Sequence, residues 1–486
     1  MNEHTASVED NNEFNIQHST QQFISPFLLK EGKIKPLIER LLNKDFTFFD
    51  IEDESLEDMF YGNEKISHEA LETFFMPNIE PILFPSDMET IKGLRRFSKK
   101  LDKACRLSSP QLKMPFVIDS IDIFICPYHI GLLNIRVRFP EKDLTNNDVL
   151  TFADLFRTLI PYNGYDETIE IDYDGHSYNQ VKKLIFEELL DSFSDYILDH
   201  TPKNSSYFGS LPFFKDERMF VVSYMNHRSG RPITETDLYR IAELNGYDSD
   251  GSEYVGALSL DYIHRFYQEK VYDRWADNTY YLISDAHFAC ITNEKGAVQQ
   301  RLLCEMYGEY FYTVLLVFYY KLVLLKLSHE HSQIEMESDH TTIDRLTMMI
   351  SEFSSKYYLP ELSSNSSGKE ISEIMKSVFE IDKLFHDVEN TLSSLFQRQE
   401  QLEGKQLNSL LQILTIYTVI SGIYGMNLMI DDLKGNIDWS KFISFSLFEW
   451  LAVFVTATGI LLSLAMGFFF AKRWLQDKKN KKRKMF

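Results

Sequence analysis

Residues 450–471 run for 22 positions without a charged side chain, and Lys472, Arg473, Lys478, Lys479, Lys481, Lys482, Arg483 and Lys484 follow at once against a single acid, Asp477. As a helix rising about 1.5 Å per residue, the run reaches about 33 Å, enough for a hydrocarbon core of about 30 Å. Such a stretch is expected to span a membrane. Upstream, residues 406–424 are 19 uncharged positions, mostly apolar, and reach about 28 Å as a helix, which predicts a second and more polar span. Among the residues flanking the spans, the tail carries eight basic side chains, whereas the connection 425–449 holds only Lys434 and Lys441. Basic flanks stay on the cytoplasmic side. The tail is therefore expected to be cytoplasmic, and so is everything before the first span, with the connection facing outward. The opening MNEHTASVEDNNEF is polar and acidic, without a charged-then-apolar leader. The expected location is the plasma membrane, crossed twice.

Net charge sharpens this division. The 486 residues sum to −22, and with the tail at +7 the other 471 residues carry −29. So acidic a body lacks the basic face that nucleic acid requires. Cys105, Cys126, Cys290 and Cys304 stand far apart without a CxxC pair, which excludes a zinc ribbon or a disulfide framework by spacing. No GxxxxGK[ST], HExxH or GxSxG string occurs, so nothing indicates an enzyme. DxDG strings at Asp172–Gly175 and Asp248–Gly251 read as turns, because the last-ligand positions of a calcium loop hold Val181 and Ala257. His329 and His331 are two apart on a helix and point about 200° from each other, which prevents a shared metal.

The fold class expected is an α/β or α+β cytosolic domain with a long stalk helix and two C-terminal transmembrane helices. Residues 1–22 have little to bury and read as disordered; 23–295 form the α/β domain, 296–405 a helical stalk region, 406–424 the first span, 425–446 the outer loop, 447–471 the second span and 472–486 the basic tail. Within the domain, the alternating NIRVRF of 134–139 and the preceding IDIFIC predict a hairpin. Helices are expected over 145–160 and 178–195, and strands over 218–225, 279–284 and 287–292. The apolar stretch 310–327 is interrupted by Lys321 and Lys326, which predicts a buried helix rather than a third span. Ile371, Ile374, Val378, Ile381, Phe385, Val388, Leu392, Leu395 and Leu402 keep heptad steps. One helix from about 369 to 424 is expected, with a break near Gly404 as the alternative.

The first span has a polar side. Asn408, Gln412, Thr415 and Gly422 recur at steps of three, four or seven, with Thr418 at the edge and Val419 on the same face. Polar groups at membrane depth face protein or a watery path. Two spans cannot enclose a pore, so a pore needs an oligomer; hydrogen bonding between packed helices would use the same residues. In the second span, Gly459, Ser463 and Gly467 form a packing seam, and Trp450 and Trp474 read as interfacial anchors.

At the outer end of the first span stands Ser421-Gly422-Ile423-Tyr424-Gly425-Met426-Asn427. This string, between two C-terminal spans and after an acidic body, resembles the signature of the CorA family of magnesium and divalent-cation transport proteins. The resemblance covers about residues 369–486. It implies a homopentamer in which Asn408, Gln412, Thr415, Thr418 and Gly422 line a central pore, with Gly425, Met426 and Asn427 at its selective mouth. Mg²⁺ releases its water reluctantly, so a ring of Asn427 amide oxygens would select it by accepting hydrogen bonds from ion-bound water. The implied ion is Mg²⁺, before Co²⁺ or Ni²⁺, with cytosolic Mg²⁺ as regulator and no resident cofactor. A double charge crossing 100 mV gains about 4.6 kcal/mol, which drives inward flux without ATP. The family's acidic MPEL-like loop is here LMIDDLKGNIDW, where Asp431, Asp432 and Asp438 could gather cations, and Ile416 stands where the family commonly has a proline. The readings left open are a zinc-transporting relative and a non-conducting membrane-anchored regulator or scaffold.

Overall fold

The computed structural model describes residues 14–62, 64, 66, 68–140, 144–160, 168–198, 218–228, 232–332 and 340–425, and beyond these 446–448, 450, 451, 453, 454, 457, 458, 461 and 468. It forms two compact units, Met1–Leu392 and Ser393–Phe486. The protein is a mixed α/β chain with a large sheet and a long helix.

Among the described residues twelve strands join in one sheet: β1 (Asn15–Leu28), β2 (Thr47–Phe48), β3 (Arg95–Ser108), β4 (Lys113–Cys126), β5 (Ile130–Arg138), β6 (Leu144–Thr145), β7 (Glu170–Tyr173), β8 (His176–Tyr178), β9 (Phe220–His227), β10 (Val271–Ala276), β11 (Thr279–Ile283) and β12 (His287–Thr292). Their order is β10-β11-β12-β9-β1-β5-β4-β3-β7-β8, with β2 beside β3 and β6 beside β1. Every pairing is antiparallel except β12 with β9. The expected hairpin is β4–β5, turned by Tyr128 and His129 at φ 61° and 58°. The strands expected near 218–225, 279–284 and 287–292 are β9, β11 and β12. The DxDG string at 172–175 is the β7–β8 turn, with Asp174 and Gly175 at positive φ, and Asp248–Gly251 closes a turn as well.

The helices begin with α1 (Ile34–Asn43), α2 (Glu54–Tyr61), α3 (His68–Phe74), α4 (Glu80–Leu83) and α5 (Asn146–Arg157). Next come α6 (Val181–Lys183), α7 (Glu235–Glu243), α8 (Leu260–Lys270) and α9 (Ala297–Tyr307), then α10 (Glu309–Ser332), α11 (His340–Lys356), α12 (Ser366–Val378) and α13 (Ile381–Gly425). A reciprocal capping box between Thr145 and Asp148 starts α5, and another between Thr234 and Asp237 starts α7. Phe152 and Phe156 of α5 meet Phe23 and Phe116 edge-on at the centre of one sheet face, which anchors that helix through the aromatic core.

Four expectations are corrected. Residues 15–22, expected to be disordered, are the first half of β1 at the middle of the sheet; residues 1–13 lie outside the described residues. Ser19, Thr20, Gln21 and Gln22 are buried there, and Gln21 donates to the Val149 carbonyl while Gln22 accepts from Asn134, so partners from other elements make a polar strand buriable. The helix expected over 178–195 is only α6 followed by a π-helical turn at Leu184–Leu189 and a single 3₁₀ turn at Phe193–Asp195, because β8 takes the chain through Tyr178 and Ser192 turns left-handed at φ 65°. The region 296–405 is not a separate stalk: α9 to α12 and the first turns of α13 belong to the same compact unit as the sheet.

The fourth correction concerns the heptad helix. It is two helices, α12 and α13, broken at Phe379 and Glu380 rather than at Gly404, through which α13 runs on. Glu380 is left-handed at φ 54°. Phe379 is driven into the core against Phe220 and Phe318, with Lys321 5.0 Å over its ring. The heptad steps of the sequence continue in phase across this corner, and several of the positions are buried within the chain. Ile371, Ile381, Phe385, Val388 and Leu392 are buried; Phe385 stacks on Tyr358 at 4.2 Å, and Val388 and Leu392 face Leu327, Leu346 and Ile350.

The stretch 310–327 is the buried core of α10, as its lysines imply. Ala297–Ser332 is, among the described residues, the one helical stretch long and apolar enough to cross a membrane, yet 78% of its most apolar window is buried inside the protein. Lys326 reaches the Tyr128 carbonyl at 2.5 Å and Glu330 at 3.7 Å, which explains how a largely buried helix accommodates this cation.

Candidate functional site

The C-terminal part of α13 carries the residues expected to line a path. Asn408, Gln412, Thr415, Thr418 and Gly422 are all exposed in the single chain. At about 100° per residue they fall within an arc of about 120°, which Leu411 and Val419 share. The hydroxyls of Thr415 and Thr418 donate to the carbonyls of Leu411 and Leu414 at 2.7 and 2.8 Å. Their protons are thus spent on their own helix, and what they offer outward is oxygen lone pairs. With the amide oxygens of Asn408 and Gln412, the stripe can accept hydrogen bonds from the water around a cation, whose protons point away from the metal. A β-carbon at Gly422 would meet nothing within 4 Å.

Behind the stripe lies a contact that the sequence pattern did not single out. Tyr417 is nine residues beyond Asn408 and so about 180° around the helix. Its hydroxyl hydrogen-bonds the hydroxyl of Thr458, which also donates to the Phe454 carbonyl at 2.8 Å. The second apolar segment therefore touches the face of α13 opposite the polar one. The signal was available in the sequence as a tyrosine facing away from the stripe and a threonine in an otherwise apolar run. Elsewhere on α13, Leu407, Ile413 and Ile416 are 57–63% exposed, and Leu447, Phe448, Phe454, Leu461 and Phe468 of the second segment are 66–80% exposed. Apolar surface this continuous requires an apolar environment or other helices to cover it.

Gly425 ends α13. Met426, Asn427, Asp431, Asp432 and Asp438 lie outside the described residues, as do Gly459, Ser463, Gly467 and Trp474. Trp450 is described and is exposed.

The first unit holds a charged site that sequence reasoning missed. Asp122 of β4, fully buried, accepts from Arg96 of β3 at 2.9 Å and from Arg136 of β5 at 3.0 Å, and also from Ser98 at 2.6 Å and Asn134 at 3.0 Å. Arg96 reaches the hydroxyls of Tyr61 and Tyr312 at 2.5 and 2.8 Å, and Arg136 that of Tyr61 at 2.8 Å. This network ties α2 and α10 to the sheet. Burial works to raise the Asp122 pKa, but Arg136 and Arg96 outweigh it and hold the carboxyl below its ordinary value. The signal for it is the alternation of Arg96 with Ser98 and of Asn134 with Arg136, which puts polar groups on one strand face. At the rim of that face, desolvation followed by the charge of Asp119 pushes Glu64 up to about 7.

His287 is buried; its Nδ1–H donates to the Ile241 carbonyl at 2.8 Å and its Nε2 accepts from Ser223 at 2.6 Å, while desolvation lowers its pKa to about 4. A seryl–histidyl pair with no exposure cannot meet a substrate. Among the described residues no group of three or more His, Cys, Asp or Glu side chains is placed to hold a metal ion. Compared with known proteins, the chain matches no family model and no curated sequence.

Proposed function

We propose that this chain is a divalent-cation channel or transporter of the plasma membrane, most suited to Mg²⁺, in which two C-terminal spans of each of five copies surround one path. Its amino-terminal body and basic tail lie in the cytoplasm. The observation that carries the reading is the opposition on α13. The polar stripe faces away from the chain's own second segment, toward the side where other copies would stand, and the contact through Tyr417 and Thr458 occupies the other side. Five such stripes around an axis would give a path lined by acceptors suited to a hydrated cation. At its outer end Asn427 would accept from ion-bound water, Gly425 would permit the turn out of the helix and Met426 would pack behind it. Asp431, Asp432 and Asp438 would raise the local cation concentration. The membrane potential draws the ion inward.

Purified protein in proteoliposomes should admit Mg²⁺ down its gradient, and Asn427→Ala should abolish that flux while native mass still shows five subunits. Wild-type flux in Asn427→Ala would remove the asparagine from the selective role. Leu411 and Val419, apolar on the same arc, favour the second reading of a packed, non-conducting bundle serving as a regulator or scaffold; five subunits with no flux of Mg²⁺, Co²⁺, Ni²⁺ or Zn²⁺ would establish it. Zn²⁺ flux without Mg²⁺ flux would instead identify a zinc transporter.

A further inference from the structure

Two apolar patches interrupt the charged surface of the first unit, and they belong to opposite sides of the strand order. The first is the turn into α8, where Leu258 is fully exposed and Leu260 is 73% exposed, with Tyr254 and Tyr262 beside them. This helix packs on α7 and on the edge strand β10. The second is formed by α1 and the loop 85–92, where Ile91 is 72% exposed and Met88 and Leu42 are also exposed. Lys35 Nζ lies 3.9 Å from Glu89 Oε2 and joins helix to loop; Lys35, Ile38 and Leu42, at steps of three and four, share one face of α1. That helix lies against β2, which pairs with β3 on the far side of the order.

The two patches differ in charge. Residues 248–265 carry Asp248, Asp250, Glu253 and Asp261 against Arg265, whereas 30–44 with the loop 85–92 carry Lys30, Lys33, Lys35, Arg40, Lys44 and Lys92 against Glu31, Glu39, Asp87 and Glu89, so the first patch is net acidic and the second net basic. Glu253 is held by Arg240, and Asp191 lies near Arg40 and Lys44. What remains outward is Asp248, Asp250 and Asp261 against Arg265 on one patch, and the exposed Lys33 and Lys92 against Asp87 on the other, where Lys35 is shared with Glu89. An acidic apolar patch is repelled by an anionic membrane surface and by a copy of itself, and it suits a basic apolar patch. Complementary patches on different sides of one molecule make a head-to-tail contact, which is the kind that closes rings.

We infer that the Leu258–Tyr262 patch of one copy docks on the α1 and Ile91 patch of the next, repeated around the ring; this rests on the five-fold assembly proposed above. The test uses the full chain in membranes. Cys105, Cys126 and Cys290 are buried, so Cys304→Ser gives a background without an accessible thiol. On it, Leu258→Cys combined with Ile91→Cys should give, on mild oxidation, a ladder of up to five linked chains, and each single substitution should give none. Asp261→Lys should lower the yield several-fold, and adding Lys33→Glu and Lys35→Glu should restore it. Efficient dimers from either single-cysteine chain would overturn the inference in favour of a self-facing contact. No ladder from a chain that native mass shows to be pentameric would overturn it while leaving the ring; a chain monomeric in bilayers would remove both. Binding of the first unit's basic patch to anionic vesicles, with cross-linking absent, would assign that patch to lipid instead.

Discussion

Asp122→Asn tests the buried network with almost no change of volume. The substitution keeps one oxygen but turns the other into an N–H₂ donor, directed at guanidinium donors that lie at 2.9 and 3.0 Å from the native carboxylate. Two arginines are left buried without a counter-charge, and breaking a buried pair in this way costs about 3–5 kcal/mol. Unfolding entropy of about 2.1 cal/mol/K per residue, taken over the 392 residues of the compact unit, is about 0.8 kcal/mol/K. The midpoint is therefore expected to fall by about 4–6 °C. Thermal unfolding of the full chain, followed by near-UV circular dichroism, measures it. The triple substitution Arg96→Met, Asp122→Leu and Arg136→Met removes the unpaired charges and is expected to melt above Asp122→Asn. Because the folded carboxyl sits below its ordinary value of 3.8, its contribution is present above that pH and is lost as the pH falls through the folded value. The gap between wild type and variant should accordingly hold from pH 5 to 8 and close under strong acid. A midpoint for Asp122→Asn within about 1 °C of wild type at pH 7 would refute the reasoning.

Glu64 carries the opposite sign. With its pKa moved from 4.5 to about 7, the folded state holds a proton there that the unfolded state has released, so stability is greatest at or below pH 4.5 and declines as the pH rises to 7. Glu64→Gln should flatten that slope in melting curves; an unchanged slope would show that Glu64 is not its source. Glu380→Gly relieves a left-handed residue that costs about 1–2 kcal/mol, less the entropy glycine adds, and should raise the urea midpoint slightly; a lower midpoint would mean the corner depends on the glutamate. On the proposed channel reading, an Mg²⁺ titration on the side of the first unit should raise its protease protection as flux falls. Protection that rises while flux is constant would separate any cation binding from gating.

The parts of the fold that were legible are those where one strand or helix declares itself by its own period. The β4–β5 hairpin alternates, and α10 reads as buried because Lys321 and Lys326 break its apolar run. β1 was not legible, since Ser19 to Gln22 look unburiable until Val149 and Asn134 supply partners from over 100 residues away. The corner at Phe379 was hidden for another reason: the heptad steps pass through it in phase, so periodicity carries no mark of the break. Of the candidate site, the stripe was visible as spacing on one helix. Its orientation was not, because the Tyr417–Thr458 contact joins residues 41 apart. Asp122 and its two arginines were invisible as a group, being close only once three strands have paired.

The place of β1 also sets an order of events during synthesis. This strand leaves the ribosome first among the twelve, yet its two long partners are Ile130–Arg138 and Phe220–His227. It must wait for more than a hundred further residues to gain one neighbour and for about two hundred to gain the other, and long-range pairings of this kind are intrinsically slow to form. An apolar strand held unpaired for that interval would invite pairing with nascent neighbours. Ser19, Thr20, Gln21 and Gln22 give it a water-compatible surface while it waits, and Gln21 and Gln22 become hydrogen-bonded to Val149 and Asn134 once the sheet closes over them.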